Sequence, residues 1–406
     1  MTIPFCGNAR RPDRIPILFF DLEGGFGGSS RSLFYLIEAL DPERFEPIVI
    51  LRKPGPILDR YRSILMKTHI MERIPSFRPG QRKRPVSFAL FLFQCVRSPG
   101  WVREVKRLAK AHDAALLHVN HESLGLTGYL LSRSLGLPWV CHIRTQLVPS
   151  VFGRMVYRII NRHADRIAFI TDQNLTHFGA LVGKAFDHRK AVVVRNIMPR
   201  SEAPVEPLSI LRVDRERFKV LSLSNFSPNR GVDRIVDVAE ILKRRGRTDF
   251  SFYLFGRPAH RNLRTGKADP YAATMKSKVD QSGLSDMVLF PGHTDAPERA
   301  LAGGDALIKL TREANPWGRD IMEAMAAGLP VVTLGAYEGF VEHGVNGYLE
   351  LHYRPDRIAD FLMRLRDDPS LAGRMAAANR SKSLRLFDGG TNAAVLEEIY
   401  ESMLGG

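Results

Sequence analysis

The chain has 406 residues, 44% hydrophobic and 25% charged, the proportions of an ordinary soluble globular protein rather than a fibrous or disordered one. That length is more than one core comfortably organises, so two domains are expected. Lys and Arg number 59 against 43 acidic residues, and a formal charge of +16 predicts attraction to polyanions: nucleic acid, nucleotide phosphates or an acidic membrane face.

The start, "MTIPFCGNARRPDRIPILFF", lacks the basic, apolar and small-residue order of a secretory signal. Residues 14–20, "RIPILFF", read as a buried strand, followed by the loop "DLEGGFGGSS". Leu33, Leu36, Ile37 and Leu40 then recur at helical spacing, with Ser29 or Ser30 available as a cap. Strand, glycine loop and helix open a βα unit. "FEPIVIL" is the next strand. Residues 78–110 interleave Arg and Lys with Phe88, Phe91, Phe93 and Trp101. That composition fits an anionic membrane interface, and equally a solvated loop before a core helix. Its longest apolar run, residues 88–96, falls far short of the about 20 residues that span a bilayer.

"AALLHV", "PWVCHI", "RIAFIT" and "AVVVRN" continue the strands, with helical patterns over 101–112 and 123–135 between them. Buried strands alternating with helices imply a parallel sheet covered on both faces. The proline-rich segment "IMPRSEAPVEPLSILRVDRE" reads as a connection. A second series follows: "FKVLSLSNF", a helix marked by Val232, Ile235, Val236 and Ala239, then "FSFYLFG", "DMVLFPG", "ALIKLT" and "LPVVTLG", with a final amphipathic helix over 392–404. Cys6, Cys95 and Cys141 lie far apart and show no metal or disulfide spacing.

Several short segments carry chemistry. Gly24, Gly25, Gly27 and Gly28 let backbone amides approach a ligand ahead of a helix N-terminus, where phosphates bind. They match neither G-x-G-x-x-G nor a P-loop, and a tight turn alone is the competing explanation. In "TREANPWGRDIMEAMAAGLPVV", residues 311–332, Pro316 and Gly318 break regular structure, so a helix is predicted to start near Arg319 or Asp320. Asn315 lies just ahead of it and Glu323 in its first turns. The unpaired N–H groups could hold a diphosphate, with the two side chains reaching sugars on either side. A capped core helix explains the same residues. Asn225 and Arg230 sit in the loop after "FKVLSLSNF", where an arginine fork suits phosphate oxygens, although most such arginines are solvated. His118, His121 and His142 fall at or after strand ends, with Arg144 just beyond; parallel sheets bind ligands there. No carboxylate or cysteine at ligand spacing joins them, so no metal is expected.

In order, these segments resemble a family 4 glycosyltransferase of the GT-B fold over nearly the whole chain. The likeness rests on "GGFGGSSRSLFYLIEAL", "LSLSNFSPNRGVDRIVDVAEIL", "NPWGRDIMEAMAAGLPVV" and "YEGFVEHGVNGYL". It implies two Rossmann-like parallel-sheet domains facing across a cleft: residues 1–198 on the acceptor side, a linker over 199–216, a nucleotide-sugar domain over 217–382, and a C-terminal helix over 383–406 packing back toward the first domain. It implies that Glu323 binds ribose hydroxyls, that the backbone of Pro316, Trp317, Gly318, Arg319, Asp320 and Ile321 holds diphosphate and sugar, and that Gly27 and Gly28 approach the phosphates. His142 and Asn315 take the catalytic positions. Two residues depart from the family's pattern. Asn315 replaces the first glutamate of E-x7-E, and Asn225 replaces an arginine, leaving Arg230 on the diphosphate; Arg31 or Arg319 could compensate.

The implied activity is retaining transfer from a nucleoside-diphosphate sugar, without a cofactor, to a hydroxyl acceptor. That acceptor is a saccharide or lipid-linked glycan precursor in cell-surface synthesis. The expected location is cytoplasmic, peripheral on an acidic inner membrane face, with no nucleic-acid partner. A catalytically weakened sugar-nucleotide-binding or scaffold subunit is the second reading.

Overall fold

Apolar runs buried on both faces pair side by side, because each parallel strand hides its side chains under crossover helices. In the computed structural model, residues 14–22, 24–25, 27–77, 84–97, 100–199, 204–212, 216–257 and 270–405 are described. The first sheet contains β1 (Ile15–Asp21), β2 (Phe45–Leu51), β3 (Lys67–Ile70), β4 (Leu116–Val119), β5 (Trp139–Ile143), β6 (Arg166–Phe169) and β7 (Ala191–Val193). Its order is β3-β2-β1-β4-β5-β6-β7 and every pairing is parallel. The second contains β8 (Phe218–Leu223), β9 (Phe250–Phe255), β10 (Val288–Gly292), β11 (Ala306–Lys309), β12 (Val331–Leu334) and β13 (Gly347–Glu350), in the order β10-β9-β8-β11-β12-β13, again parallel. These are two Rossmann-like α/β domains.

The chain divides into Met1–Pro199 with Asp388–Gly406, and Arg200–Phe387. The boundary expected at 382/383 falls inside the helix Pro369–Leu386, so the change of unit comes after that helix ends. The segment expected as a linker over 199–216 contributes the short turn Ser209–Leu211 to the second unit, and residues 200–203 and 213–215 lie outside the described residues.

Alternation along the strands feeds two cores in the first unit. Leu18, Phe20, Ile48, Leu117, Trp139 and Cys141 face one side; Ile17, Phe19, Val49, Leu116 and Val140 face the other. The helix Gly389–Leu404 closes the second side with Leu396, Ile399 and Tyr400. Its Asn392 Oδ1 accepts from the Arg195 N–H at 3.0 Å, and Glu397 accepts from the Asp41 N–H at 2.7 Å. Asp388 caps it by accepting from the Thr391 N–H at 2.9 Å. The helix Gly28–Glu38 has Gly27 as its cap and no side-chain cap bond, so neither Ser29 nor Ser30 takes the role expected of it.

Candidate active site

In a sheet of this order the connections from the first and fourth strands leave on opposite sides, opening a ligand crevice at their carboxyl ends. In the second unit these strands are β8 and β11. β8 runs into Asn225 and, through the turn Pro228–Arg230, into the helix Val232–Arg244. β11 runs into Thr311, Asn315 and the helix Arg319–Ala327. The two loops are stitched together. The Arg312 N–H donates to the Asn229 carbonyl at 2.9 Å, and its guanidinium donates to the Pro228 carbonyl and to Asp233 Oδ1 at 2.9 Å. Gly231 has φ 66°, and a Cβ there would overlap the Leu310 carbonyl, so only glycine allows the loops to meet.

The helix begins at Arg319, as its proline and glycine predict, with Gly318 at φ 130° and no side-chain cap. Asn315 is therefore not its cap. The Asn315 side chain accepts from Thr311 Oγ1 at 2.7 Å and donates to Glu313 Oε2 at 3.3 Å. Pro316 lies against Gly335 at the end of β12, where a Cβ would overlap the proline ring. Ala314 takes φ 47°, a left-handed conformation costing roughly 1–2 kcal/mol for a residue with a Cβ. Packing around the loop holds it in that shape.

Glu323 lies one turn into the helix, where Arg319 Nε donates to its Oε1 at 3.1 Å. Both side chains are less than a tenth exposed, and Arg319, expected as a possible compensating charge on the diphosphate, bonds Glu323 in this structure. Trp317 and Ile321 are buried, and the Ile321 N–H is taken by Asp320 Oδ1 at 3.0 Å. Asn225 is exposed and accepts from the Arg257 N–H at 3.2 Å; Arg230 is exposed, its N–H donating to the Ser227 carbonyl at 3.0 Å and its guanidinium making no hydrogen bond among the described residues. One residue went unremarked in the sequence. Lys309, the last residue of β11, is 4% exposed, and its Nζ donates to the Trp317 carbonyl and to Asp320 Oδ1, each at 2.8 Å. Burial lowers its pKa and the Asp320 carboxylate opposes that shift. The available signal was a lysine inside an otherwise apolar strand.

In the first unit the corresponding strands are β1 and β4. Gly24 is demanded by packing, since a Cβ would overlap the Lys53 carbonyl, whereas at Gly25 and Gly27 it would meet nothing among the described residues. Behind this loop lies a buried polar network. Asn120 Nδ2 donates to Asp21 Oδ1 and to the Ser29 carbonyl, both at 3.2 Å, and Arg144 donates to Asn120 Oδ1 from Nε at 2.9 Å and Nη2 at 2.6 Å. Arg144 also bonds Asn196, and its N–H donates to Glu122 Oε2 at 2.9 Å. Burial pushes the Asp21 carboxyl up to about 6, against the hydrogen bond from Ser30.

His142, expected at the catalytic position, is enclosed within the first unit. It is 1% exposed, and its ring centroid lies 5.5 Å from that of His118, which in turn bonds the Tyr400 hydroxyl at 2.7 Å. Burial, then the charge of Arg144, holds both imidazoles well below the usual histidine range. Side chains two residues apart on a strand share a face. From β5 it is Arg144, two residues nearer the carboxyl end, that reaches the polar network, while His142 stays within the sheet. Gly27, Gly28 and His142 thus belong to the first unit, and the other candidate residues cluster at the crevice of the second. Among the described residues no group of His, Cys, Asp or Glu is arranged to hold a metal.

Comparison with known proteins adds to this geometry. Residues 26–199 match the family model described as Glycosyltransferase Family 4, and residues 209–382 match Glycosyl transferases group 1. The alpha-D-kanosaminyltransferase of Streptomyces kanamyceticus is 26% identical over 304 residues, covering 68% of this chain and 74% of that protein. The D-inositol 3-phosphate glycosyltransferase of Frankia alni is 29% identical over 312 residues, covering 69% and 74%. The crystal structure of Anabaena HepE in complex with UDP and glucose superposes with a TM-score of 0.76 at 21% identity, covering 96% of this chain and all of that one. Two Rossmann-like domains with these matches define a glycosyltransferase of the GT-B fold. The chain belongs to the glycosyltransferases, its first half matching the Family 4 model and its second half the group 1 model.

Proposed function

We propose that the protein is a retaining glycosyltransferase that moves a sugar from a nucleoside-diphosphate sugar to a hydroxyl acceptor. The observation that carries this reading is the start of the helix Arg319–Ala327, where an uncapped N-terminus lies between Asn315 on one side and Glu323 on the other. An uncapped helix start offers N–H groups and partial positive charge to a diphosphate. Glu323 then takes the ribose hydroxyls, Asn315 the transferred sugar, and Arg230 the outer phosphate oxygens. Retention follows if the acceptor attacks the face the diphosphate leaves, with that diphosphate taking the acceptor's proton. HepE binds UDP-glucose, which supports a donor of this class. At Gly27 a Cβ would meet nothing among the described residues, so the first unit's loop is open there to the backbone approach of a ligand.

The acceptor in this reading is a cell-surface or lipid-linked saccharide met at a membrane, and the helix Arg84–Arg97 supports it. Phe88 and Phe91 of that helix pack on Phe77, yet Leu90, Leu92, Phe93 and Val96 are exposed. The following helix Gly100–Ala111 exposes Arg103, Lys106, Arg107 and Lys110. No described helix is long and apolar enough to cross a membrane.

A thermal-shift screen with UDP-, GDP- and ADP-glucose, followed by NMR of any product, tests the proposal. Stabilisation by at least one donor and an unchanged anomeric configuration are expected. No shift with any of the three would count against a donor of this kind; an inverted product would remove retention alone. Asn225 and Asn315 favour a second reading, a weakened sugar-nucleotide-binding subunit, which predicts binding without turnover and turnover gained on Asn315→Glu.

A further inference from the structure

A lysine seldom ends a parallel strand buried on both faces, because its charge must find partners inside. Lys309 finds two, and both belong to the loop and helix start that would hold the donor. One is the Trp317 carbonyl, at 2.8 Å. A trans peptide is planar, and its C=O and N–H point in opposite directions. By drawing the Trp317 carbonyl inward, Lys309 turns the N–H of Gly318 the other way, out from the strand end. That N–H has no hydrogen-bond partner among the described residues.

The second partner is the carboxylate of Asp320, in the helix's first turn. An acid there favours the helix dipole but opposes an anion at the same place. The ammonium, 2.8 Å away, cancels that opposition. Gly318 completes the arrangement: at φ 130° a Cβ would stand 2.9 Å from both Lys309 Nζ and Asp320 Oδ1, so a side chain would wedge against the ion pair.

We propose that Lys309 is a positioning residue for the donor, turning the Trp317–Gly318 peptide outward and neutralising Asp320 from beneath so that the helix start remains an anion site. The inference rests on the nucleoside-diphosphate reading above.

Calorimetric titration of the full chain and three variants with UDP, GDP and ADP tests it, using whichever wild type binds. Lys309→Met leaves Asp320 unbalanced and frees the peptide, and should weaken binding roughly tenfold or more. Asp320→Asn removes the opposing charge and should tighten binding about two- to fivefold, although the helix loses a favourable dipole contact. The double variant should bind more tightly than Lys309→Met alone. A purely structural ion pair predicts otherwise: Asp320→Asn would lower the unfolding temperature and leave binding unchanged or weaker. That result overturns the proposal, and it can be read even if Lys309→Met fails to fold. Wild type binding none of the three nucleotides sinks the donor reading itself; binding without the tightening sinks only the role of Lys309.

Discussion

Glu323 and Asn315 lie eight positions apart, yet their surroundings differ in kind. Glu323 is enclosed and held by Arg319 Nε, so its carboxylate is fixed before any ligand arrives. Asn315 is only half-buried, and its amide bridges Thr311 and Glu313. A fixed carboxylate facing ribose hydroxyls makes charge-assisted hydrogen bonds, each contributing roughly 1.5–3 kcal/mol. Glu323→Ala should therefore weaken nucleoside-diphosphate affinity by at least about tenfold, while Glu323→Gln, which retains an acceptor, should lose less. Titration calorimetry on both variants checks the order; equal affinities for the two and for wild type would remove Glu323 from the site. This pair was legible in the sequence because Pro316 and Gly318 announce a helix start between its members. Lys309 was not, since a lysine before a polar loop reads as the solvated end of a strand until its burial is known.

Elements were read best where both faces of a strand are apolar. Every such run contains a strand, whereas β3, "KTHI", lies at a sheet edge, is partly exposed along its length and carries no apolar run to betray it. The burial of His142 on β5 was hidden for a related reason. A histidine near a strand's end looks available, but only the packing of the C-terminal helix reveals that His118 lies against Tyr400, with His142 beside it. That burial has a measurable consequence. Both folded-state pKa values are depressed below the ordinary 6.5, so the unfolded chain binds protons that the folded chain refuses, and stability falls as pH drops through about 6.5. Asp21 acts in the opposite sense: its raised pKa of about 6 makes the folded state the better proton acceptor between the ordinary 3.8 and that value. Between pH 8 and 6 the histidines lower stability while Asp21 begins to offset them near pH 6, and comparison with a histidine variant cancels the Asp21 contribution that both proteins share. Unfolding temperatures across that range should decline in wild type and decline less in His142→Leu, which removes a titrating group from an apolar wall. Parallel curves for the two proteins would show that His142 titrates alike in the folded and unfolded chains.

For the molecule as a whole, the excess of 16 positive charges was visible at once, but where it meets apolar surface was not, because the helix Arg84–Arg97 read equally well as a solvated loop. Its structure separates two sets of apolar side chains. Phe88 and Phe91 anchor it to Phe77, and the Phe152 ring packs tilted against Phe88 at 5.5 Å; Leu90, Phe93 and Val96 are left at 53%, 54% and 80% exposure. Exposed apolar side chains on one helix, followed by a helix with a basic face, are what an acidic bilayer surface would hold, by insertion and by charge together. The two contributions can be separated. The protein should float with vesicles containing anionic phosphatidylglycerol at low salt, and screening in about 0.5 M salt should release much of it. Phe93→Asp and Leu90→Asp replace exposed groups, so the fold and nucleotide binding should be unchanged while flotation falls at every salt concentration. If wild type stays at the bottom of the gradient even at low salt, the positive charge serves something other than a membrane, and the acceptor must be sought among soluble saccharides.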